Sequence, residues 1–360
     1  MTVRRSGFMP GVICAAAACL LSSPIFAQNT PVQKALAQNP LPNPKVASNT
    51  PRSADGHPDL SGVWTNVWIT PLERPRDLAG KAYFTPAEAA DYEKDHHRNR
   101  DDRDKIKGTE ADVSNAYNDF WWDSGTKVVK TLRTSMIVDP SDGRMPALLP
   151  QRQAQLMAAR QAEKKRCDQQ PGCEPLNGGQ LGPADAPQDR PLMERCLSFN
   201  NATPMLPTAY NNDYEIVQDK GFVAIDVEMV HQIRRVPLDG SPHVPANIRQ
   251  WGGDSRGHWE GDTLVIDTTS FQKEFSFRGS DENLHLIERL TRTDPDTIIY
   301  RFTIDDPTAF TKPWTGEIPF VKSQGLLYEY ACHEGNEGLR GVLSSARADE
   351  KKAAQARKEQ

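Results

Sequence analysis

The sequence lacks an excess of positive charge. It contains 43 lysines and arginines against 48 aspartates and glutamates, which gives a formal net charge of -5 at pH 7. A protein that binds nucleic acid presents a basic face to the phosphate backbone, so we expect no nucleic-acid partner. The sequence also lacks the nucleotide motifs G-x-G-x-x-G and G-x-x-x-x-G-K-[ST] and the zinc motif H-E-x-x-H. Nucleotide and zinc-protease functions are therefore without support, and we predict no cofactor and no metal ion.

A long hydrophobic segment is also lacking. The apolar run over residues 7–21 is too short and too interrupted for a membrane span, so no span is predicted. Arg4 and Arg5 precede this run, and the small residue Ala27 follows it, as in an export signal. The sequence therefore predicts a signal peptide over residues 1–27 and a periplasmic or secreted mature protein. A lipoprotein signal at Cys19 is the alternative.

Cysteine is scarce. Beyond the predicted signal peptide, the cysteines are Cys167, Cys173, Cys196 and Cys332. An even number of cysteines in an exported chain favours disulfide bonds. Cys167 and Cys173 flank a short turn-rich loop and are predicted to pair, which leaves Cys196 to pair with Cys332. A thiolate metal site is the alternative, although no Cys-x-x-Cys pair supports it.

The composition divides the rest of the chain into three parts. Residues 28–57 are rich in proline, asparagine, glutamine and alanine without periodicity, which predicts a disordered tether. A single β-rich domain is predicted over residues 58–345, with helical segments near 86–101 and 151–166. The tail over residues 346–360 is charged on almost every side, and we expect it to be helical or disordered.

Alternation of apolar and polar residues predicts the strands of this domain. The most regular alternation covers residues 222–236, which we expect to form one strand with His231 on its apolar face. Further strands are predicted over residues 131–138, 284–293, 297–305 and 326–333. This pattern is typical of an α+β fold dominated by strands: a curved antiparallel sheet or calycin-like barrel with peripheral helices and long loops rich in proline and glycine.

The segment over residues 251–271 concentrates two tryptophans, four glycines and a histidine before an apolar strand. The turn residues around Gly261 predict a hairpin whose tryptophans pack in the core. Two alternatives remain open. Asp254, Arg256 and His258 would lie at the mouth of a pocket, or nearby carboxylates would form a calcium loop, although the regular ligand spacing is missing.

Several segments resemble a family of exported bacterial proteins that is widespread among soil bacteria. The matching segments are TSMIVDPSDGRMP (134–146), EIVQDKGFVAIDVEM (215–229), WGGDSRGHWEGDTLVIDTTSF (251–271), ERLTRTDPDTIIYRFTIDDP (288–307), KPWTGE (312–317) and YEYACHEGN (328–336). The similarity covers most of residues 58–347. The resemblance identifies a family but implies no established activity, so it transfers no catalytic residue. Residues 62–64, Gly-Val-Trp, resemble the Gly-x-Trp motif of lipocalin-type barrels.

Four residues are candidates for acid–base chemistry. If its strand face lined a cavity, His231 would be placed to act as an acid or base in catalysis. A core histidine hydrogen-bonded to the backbone is the alternative. His333 lies beside Cys332, whose predicted disulfide would hold it rigid. Asp254 and Glu288 are the carboxylates that we expect to partner these histidines.

The candidate ligand-binding residues are aromatic or charged. They are Trp64, Trp251, Arg256, His258, Trp259 and Arg289. The favoured function is an exported β-rich protein that binds a small, partly apolar organic molecule. The first alternative is a cofactor-free lyase, isomerase or hydrolase that uses a histidine–carboxylate pair. The second is an envelope scaffold or interaction protein with an exposed apolar patch. The sequence leaves the oligomeric state open.

Overall fold

The fold was obtained as a computed structural model, which describes residues 41–101, 108, 123, 125–169, 184–199, 203–275 and 277–359. All elements named below belong to the unit Asn43–Gln360. The predicted signal peptide, residues 28–40 of the predicted tether and Cys173 lie outside the described residues. No helix among the described residues combines the length and the apolar composition that crossing a membrane requires.

Ten strands of the described residues form one antiparallel sheet. They are β1 (Gly62–Thr65), β2 (Ile137–Asp139), β3 (Asp213–Gln218), β4 (Phe222–Val227), β5 (Gln232–Pro237), β6 (Asp254–Glu260), β7 (Thr263–Thr269), β8 (His285–Asp294), β9 (Thr297–Asp305) and β10 (Trp314–Lys322). Their order is β5-β4-β3-β1-β10-β9-β8-β7-β6, and β2 pairs with β10 outside this order.

The sheet curves into a nearly closed barrel. Its two end strands, β5 and β6, lie side by side, since a Cβ atom added to Gly257 of β6 would lie 2.8 Å from Val236 Cγ1 of β5. Curvature of this kind brings the side chains of one sheet face together in a single interior. The structure thus confirms the predicted β-dominated α+β fold.

The barrel interior is packed with side chains. Alternate residues of neighbouring strands, such as Leu286 and Leu290 of β8 and Tyr300 and Phe302 of β9, are fully buried there. The Phe302 ring lies over Gly316 of β10, where any Cβ atom would come within 2.3 Å of the ring. Close packing of this kind makes the interior a core rather than a binding cavity.

A buried ion pair crosses the interior. Arg234 of β5 donates to both carboxylate oxygens of Glu288 of β8, at 2.6 and 3.0 Å, and the Tyr300 hydroxyl donates to Glu288 Oε1 at 2.7 Å. Burial alone would lower the pKa of Arg234, but the adjacent carboxylate outweighs burial and raises it. In the core, each partner compensates the buried polar groups of the other.

The described residues contain three α-helices: α1 (Pro86–Asp101) between β1 and β2, α2 (Pro150–Asp168) between β2 and β3, and α3 (Glu337–Ala356) after β10. The first two confirm the helices predicted near 86–101 and 151–166. The start of α1 is a capping box, because Glu88 accepts from the Thr85 backbone N–H at 2.8 Å and Thr85 Oγ1 accepts from the Glu88 N–H at 3.3 Å. At α3, Asn336 Oδ1 caps the helix by accepting from the Leu339 N–H at 3.2 Å.

The prediction of one strand over residues 222–236 is wrong. A turn interrupts this segment, and β4 and β5 on either side of it pair antiparallel. Val230 and His231 adopt positive φ angles of 65° and 40° in the turn, which reverses the chain. The face therefore changes after the turn: Arg234 is buried, whereas Ile233 is 69% exposed and His231 is exposed rather than apolar-facing. A continuous alternation pattern does not reveal a turn of this kind.

The prediction of a strand over residues 326–333 is also wrong, because this segment has no strand structure. The final strand is β10, which was not predicted, and it contains Pro319, a residue type that is unfavourable in a strand interior. β1 pairs only with Val321 and Lys322 of β10, and β2 only with Thr315 and Gly316, so Pro319 is not required to donate to either strand. The strand predicted over residues 131–138 is reduced to β2.

The described end of the predicted tether contacts the barrel. The Ala47 N–H donates to the Thr293 carbonyl at 2.7 Å, and Arg52 forms an ion pair with Asp262 at 2.8 Å. The His57 ring stacks on Trp259 with 4.4 Å between the ring centroids. These residues therefore form part of the folded unit.

Candidate functional site

An open cleft of about 990 Å³ lies at the end of the barrel where β3 begins and β4 ends. It is lined by aromatic and acidic side chains and by the segment that follows β10. The lining residues are Asp123, Tyr210, Asn211, Asn212, Asp213, Glu228, Tyr328, Glu329, Tyr330, Ala331, Cys332, Gly335 and Asn336. Aromatic faces beside a few polar groups are the usual composition of a small-molecule site, so this cleft is the candidate functional site.

Asn212 shapes one wall of the cleft. Its side chain is buried, and its Oδ1 accepts from the Thr208 N–H at 2.6 Å. Its Nδ2 donates to the carbonyls of Asp123, at 2.9 Å, and Thr208, at 3.1 Å. Because one buried amide satisfies several backbone groups, it fixes the loop that carries Tyr210.

Two carboxylates meet at the base of the cleft. The pairing of β3 with β4 places Asp213 beside Glu228, whose Oε2 accepts from the Asp213 N–H at 3.2 Å. Burial raises the pKa of the Glu228 carboxyl, and repulsion from Asp213 and Asp123 adds to this, while hydrogen bonds from Asp213 and Asn211 oppose it. A cation entering the cleft would relieve this repulsion.

A disulfide bond holds the opposite wall. Cys196 and Cys332 are bonded, which confirms their predicted pairing and fixes the segment that carries Tyr328 and Tyr330. His231 Nδ1 donates to the Tyr330 carbonyl at 2.7 Å, which adds a second tie. Cys167 is also disulfide-bonded, but its predicted partner Cys173 lies outside the described residues.

Four non-glycine residues around the cleft have positive φ angles. They are Cys196 at 55°, Asn211 at 56°, Val230 at 65° and His231 at 40°. This conformation is unfavourable for side chains with a Cβ atom, above all for the β-branched Val230. Such backbone persists only where surrounding contacts hold it, and it is concentrated at functional sites.

Comparison with models of known protein families and with functionally curated proteins finds no match to this chain. The assignment of a function therefore depends on the geometry of the described residues.

The four candidate acid–base residues do not share a cavity. Only His231 and His333 are close to each other, with 6.5 Å between their ring centroids, and both are exposed beside the cleft. Glu288 lies in the barrel interior, paired with Arg234. Asp254 is buried on β6, where it accepts from His243.

The candidate ligand-binding residues are also dispersed. Trp64 is fully buried, and its indole N–H donates to the Leu60 carbonyl at 2.9 Å. Trp251 is half-buried in a turn, and Trp259 stacks on His57. The three charged candidates bond to carboxylates: Arg256 to Asp254, and His258 and Arg289 to Glu260. None of these candidates lines the cleft.

The outer face of the barrel carries an alternating chain of carboxylates and imidazoles. His243 joins Asp254, at 2.8 Å from its Nδ1, to Asp267, at 3.1 Å from its Nε2. His285 Nε2 lies 2.9 Å from Asp267, and its Nδ1 lies 4.0 Å from Asp305. Both ring nitrogens of His243 are occupied, so neither is free to exchange a proton with a substrate. No group of described residues in this region or elsewhere has the arrangement of a metal site.

In this row of histidines and aspartates, each side chain stabilises the charged form of its neighbour. The hydrogen bond to Asp267 raises the pKa of His243 above its ordinary value, and Asp254 adds to this, while partial burial opposes it. Burial would raise the pKa of Asp267, but His243 and His285 hold it well below its usual range. His243 therefore attaches its loop to Asp254 of β6 and Asp267 of β7, and we call these three residues the charged clamp.

Replacing His243 with glutamine is expected to lower the free energy of unfolding by about 1 kcal/mol near pH 5.5. The variant loses charged hydrogen bonds to carboxylates, and the partial exposure of the site to water keeps this loss small. Because the pKa of His243 is raised in the folded protein, its contribution to stability is fully present below the unfolded pKa of about 6.5. This contribution is lost as the pH rises through the pKa of the folded state. Stability from the depressed Asp267 pKa is present above about pH 4 and is lost at lower pH. Urea unfolding between about pH 2.5 and pH 9 measures both dependences.

The control for this measurement is His258→Gln, because His258 is exposed and contacts the exposed Glu260. This variant should change stability little at any pH. A constant difference between the His243→Gln variant and the unmodified protein over the whole pH range would contradict the clamp.

Several residues of the cleft were not among the candidates that the sequence predicted. Asp213 and Glu228 become neighbours through the register of the β3–β4 hairpin, and β3 was not among the predicted strands. Tyr328 and Tyr330 stood in a segment that was assigned to a strand. His243 lies in a proline-containing loop, and nothing in its local sequence indicates two carboxylate partners.

Proposed function

We propose that this chain is an exported protein that binds a small, partly apolar organic molecule in the cleft at the end of the barrel. The observation that supports this most directly is the presence of tyrosines and carboxylates together in an open cleft, beside a barrel interior that is already filled. Export is supported by the predicted signal peptide, by the resemblance to exported bacterial proteins and by the disulfide bond.

The charge of the cleft favours a ligand with a cationic end. The lining contains four carboxylic acids and no lysine or arginine. Among the described residues, no basic side chain lies within 4.0 Å of the carboxylates of Asp213, Glu228 or Glu329. Tyrosine faces attract organic cations as well as apolar groups. We propose a ligand with an apolar body and an ammonium group.

Acid–base catalysis has less support. Glu288 is committed to Arg234 in the interior, and Asp254 is committed to the clamp on the outer face. His231 and His333 lie beside the cleft, but the carboxylates expected to partner them lie elsewhere.

Three benzyl compounds test the proposal, because they share a ring and differ in charge: benzyltrimethylammonium, benzyl alcohol and phenylacetate. Titration calorimetry should show saturable binding of the cation, weaker binding of the alcohol and the weakest binding of the acid. Glu228→Gln and Tyr328→Leu should each reduce affinity for the cation about threefold to tenfold, the size of a partly exposed cation–π or charge contact. Affinity should also fall as the pH is lowered through the raised pKa of Glu228.

Glu215→Gln is the matched control, because Glu215 lies on β3 but does not line the cleft. This variant should retain the affinity of the unmodified protein. The proposal would be contradicted if no benzyl compound bound, or if Glu228→Gln and Tyr328→Leu bound the cation as tightly as Glu215→Gln does.

A further inference from the structure

A second hollow, of about 580 Å³, lies between α3 and the segment around the Cys196–Cys332 disulfide. Its lining is basic and apolar. The lining residues are Arg195, His333, Asn336, Leu339, Arg340, Leu343, Ser344 and Arg347. It shares only Asn336 with the cleft, and no carboxylate lines it. The two depressions therefore present opposite charge.

The most informative residue of this hollow is Arg195. It is half-buried beside the disulfide, and its guanidinium has no hydrogen bond and no ion pair among the described residues. Its neighbour in sequence, Glu194, is instead paired with Arg190. A half-buried guanidinium has lost part of its hydration, so it favours an acceptor of opposite charge.

The rest of the hollow divides into a charged and an apolar part. Arg340 is highly exposed and lies 3.7 Å from Glu337, so it remains able to contact a ligand. Arg347 is committed to Asp185 and Glu350 and contributes mainly its positive field. Leu339 and Leu343 lie one helical turn apart on α3, which places both on the same helix face.

We propose that this hollow is a second binding site, for an amphipathic organic anion whose carboxylate contacts Arg195 and Arg340 and whose aliphatic chain covers Leu339 and Leu343. The guanidinium of Arg195 supplies a planar pair of donors that matches a carboxylate. The leucines supply the apolar surface that a short aliphatic chain would bury. This site does not depend on the proposed function of the cleft.

Octanoate, 1-octanol and octylammonium test the proposal on the unmodified full chain, because they share a chain and differ in charge. Titration calorimetry at low ionic strength should show saturable binding of octanoate, at least tenfold tighter than binding of either other compound. Octanoate should bind equally well when benzyltrimethylammonium is present at saturation. Equal affinity for octanoate and 1-octanol would overturn the proposal, as would displacement of octanoate by the benzyl cation.

Variants identify the residue responsible. Arg195→Gln should weaken octanoate binding about tenfold, the loss expected for a charged hydrogen bond. Arg195→Lys keeps the charge but loses the planar pair of donors, so it should weaken binding less than Arg195→Gln does. Arg160→Gln removes an exposed arginine of α2 outside the hollow and should leave affinity unchanged. Unchanged octanoate affinity in Arg195→Gln would overturn the assignment. If that variant does not fold, the three-compound series on the unmodified chain still decides the proposal.

Discussion

Replacing Glu288 with glutamine is expected to lower the free energy of unfolding by about 3–5 kcal/mol, the cost of removing one partner of a buried ion pair. Glu288 is fully buried and Arg234 is 7% exposed, so water cannot replace the lost carboxylate. The variant also removes a charged acceptor from the Tyr300 hydroxyl, whose own pKa is raised by burial and by Glu288. Urea unfolding at neutral pH measures the loss.

Two further variants separate burial from charge. Glu260→Gln removes the exposed partner of Arg289 and should cost less than about 1 kcal/mol. The double variant Arg234→Met and Glu288→Leu removes both charges and should be more stable than Glu288→Gln alone, since no buried charge remains. If Glu288→Gln cost no more than Glu260→Gln, the ion pair would not be the buried contact described above.

Replacing Cys332 with serine is expected to cost about 2–5 kcal/mol of folding stability, the usual effect of losing a native disulfide. The bond joins residues separated by 136 positions, so its loss restores considerable freedom to the unfolded chain. Cys332 also lines the cleft, so binding of benzyltrimethylammonium should weaken together with stability. Thermal unfolding and calorimetry on the same preparation measure both effects.

The matched comparison is the double variant of Cys196 and Cys332. If the disulfide bond itself is responsible, the double variant should be no less stable than either single variant. Unmodified protein treated with a thiol reductant should approach the same stability. Retention of full stability and of full cation binding in Cys332→Ser would contradict the role given to this bond.

Local sequence patterns predicted the elements whose signals lie within a few residues. The helical segment predicted near 86–101 corresponds to α1, and turn residues around Gly261 indicated the β6–β7 hairpin, both of which the structure contains. The strands β8 and β9 lie close to their predicted positions because their side chains alternate between the interior and the outer face. The disulfide between Cys196 and Cys332 followed from the number of cysteines.

The candidate site depends on contacts that local patterns do not contain. Asp213 and Glu228 meet only through the register of the β3–β4 hairpin, which no local alternation pattern specifies. Arg234 and Glu288 are 54 residues apart in the sequence, and Glu288 was expected to partner a histidine instead. Charged residues on strands generally pair across the sheet, but here the curvature of the barrel brings one pair together through the interior.

The most direct test of the proposed cleft is a crystal structure of the full chain grown with benzyltrimethylammonium. We predict electron density for one cation in the cleft, with its nitrogen within about 6 Å of a tyrosine ring centroid. The nitrogen should also lie nearer to the Glu228 carboxylate than to any lysine or arginine. A cleft without the cation, in crystals where the cation occupies another part of the protein, would contradict the proposed site.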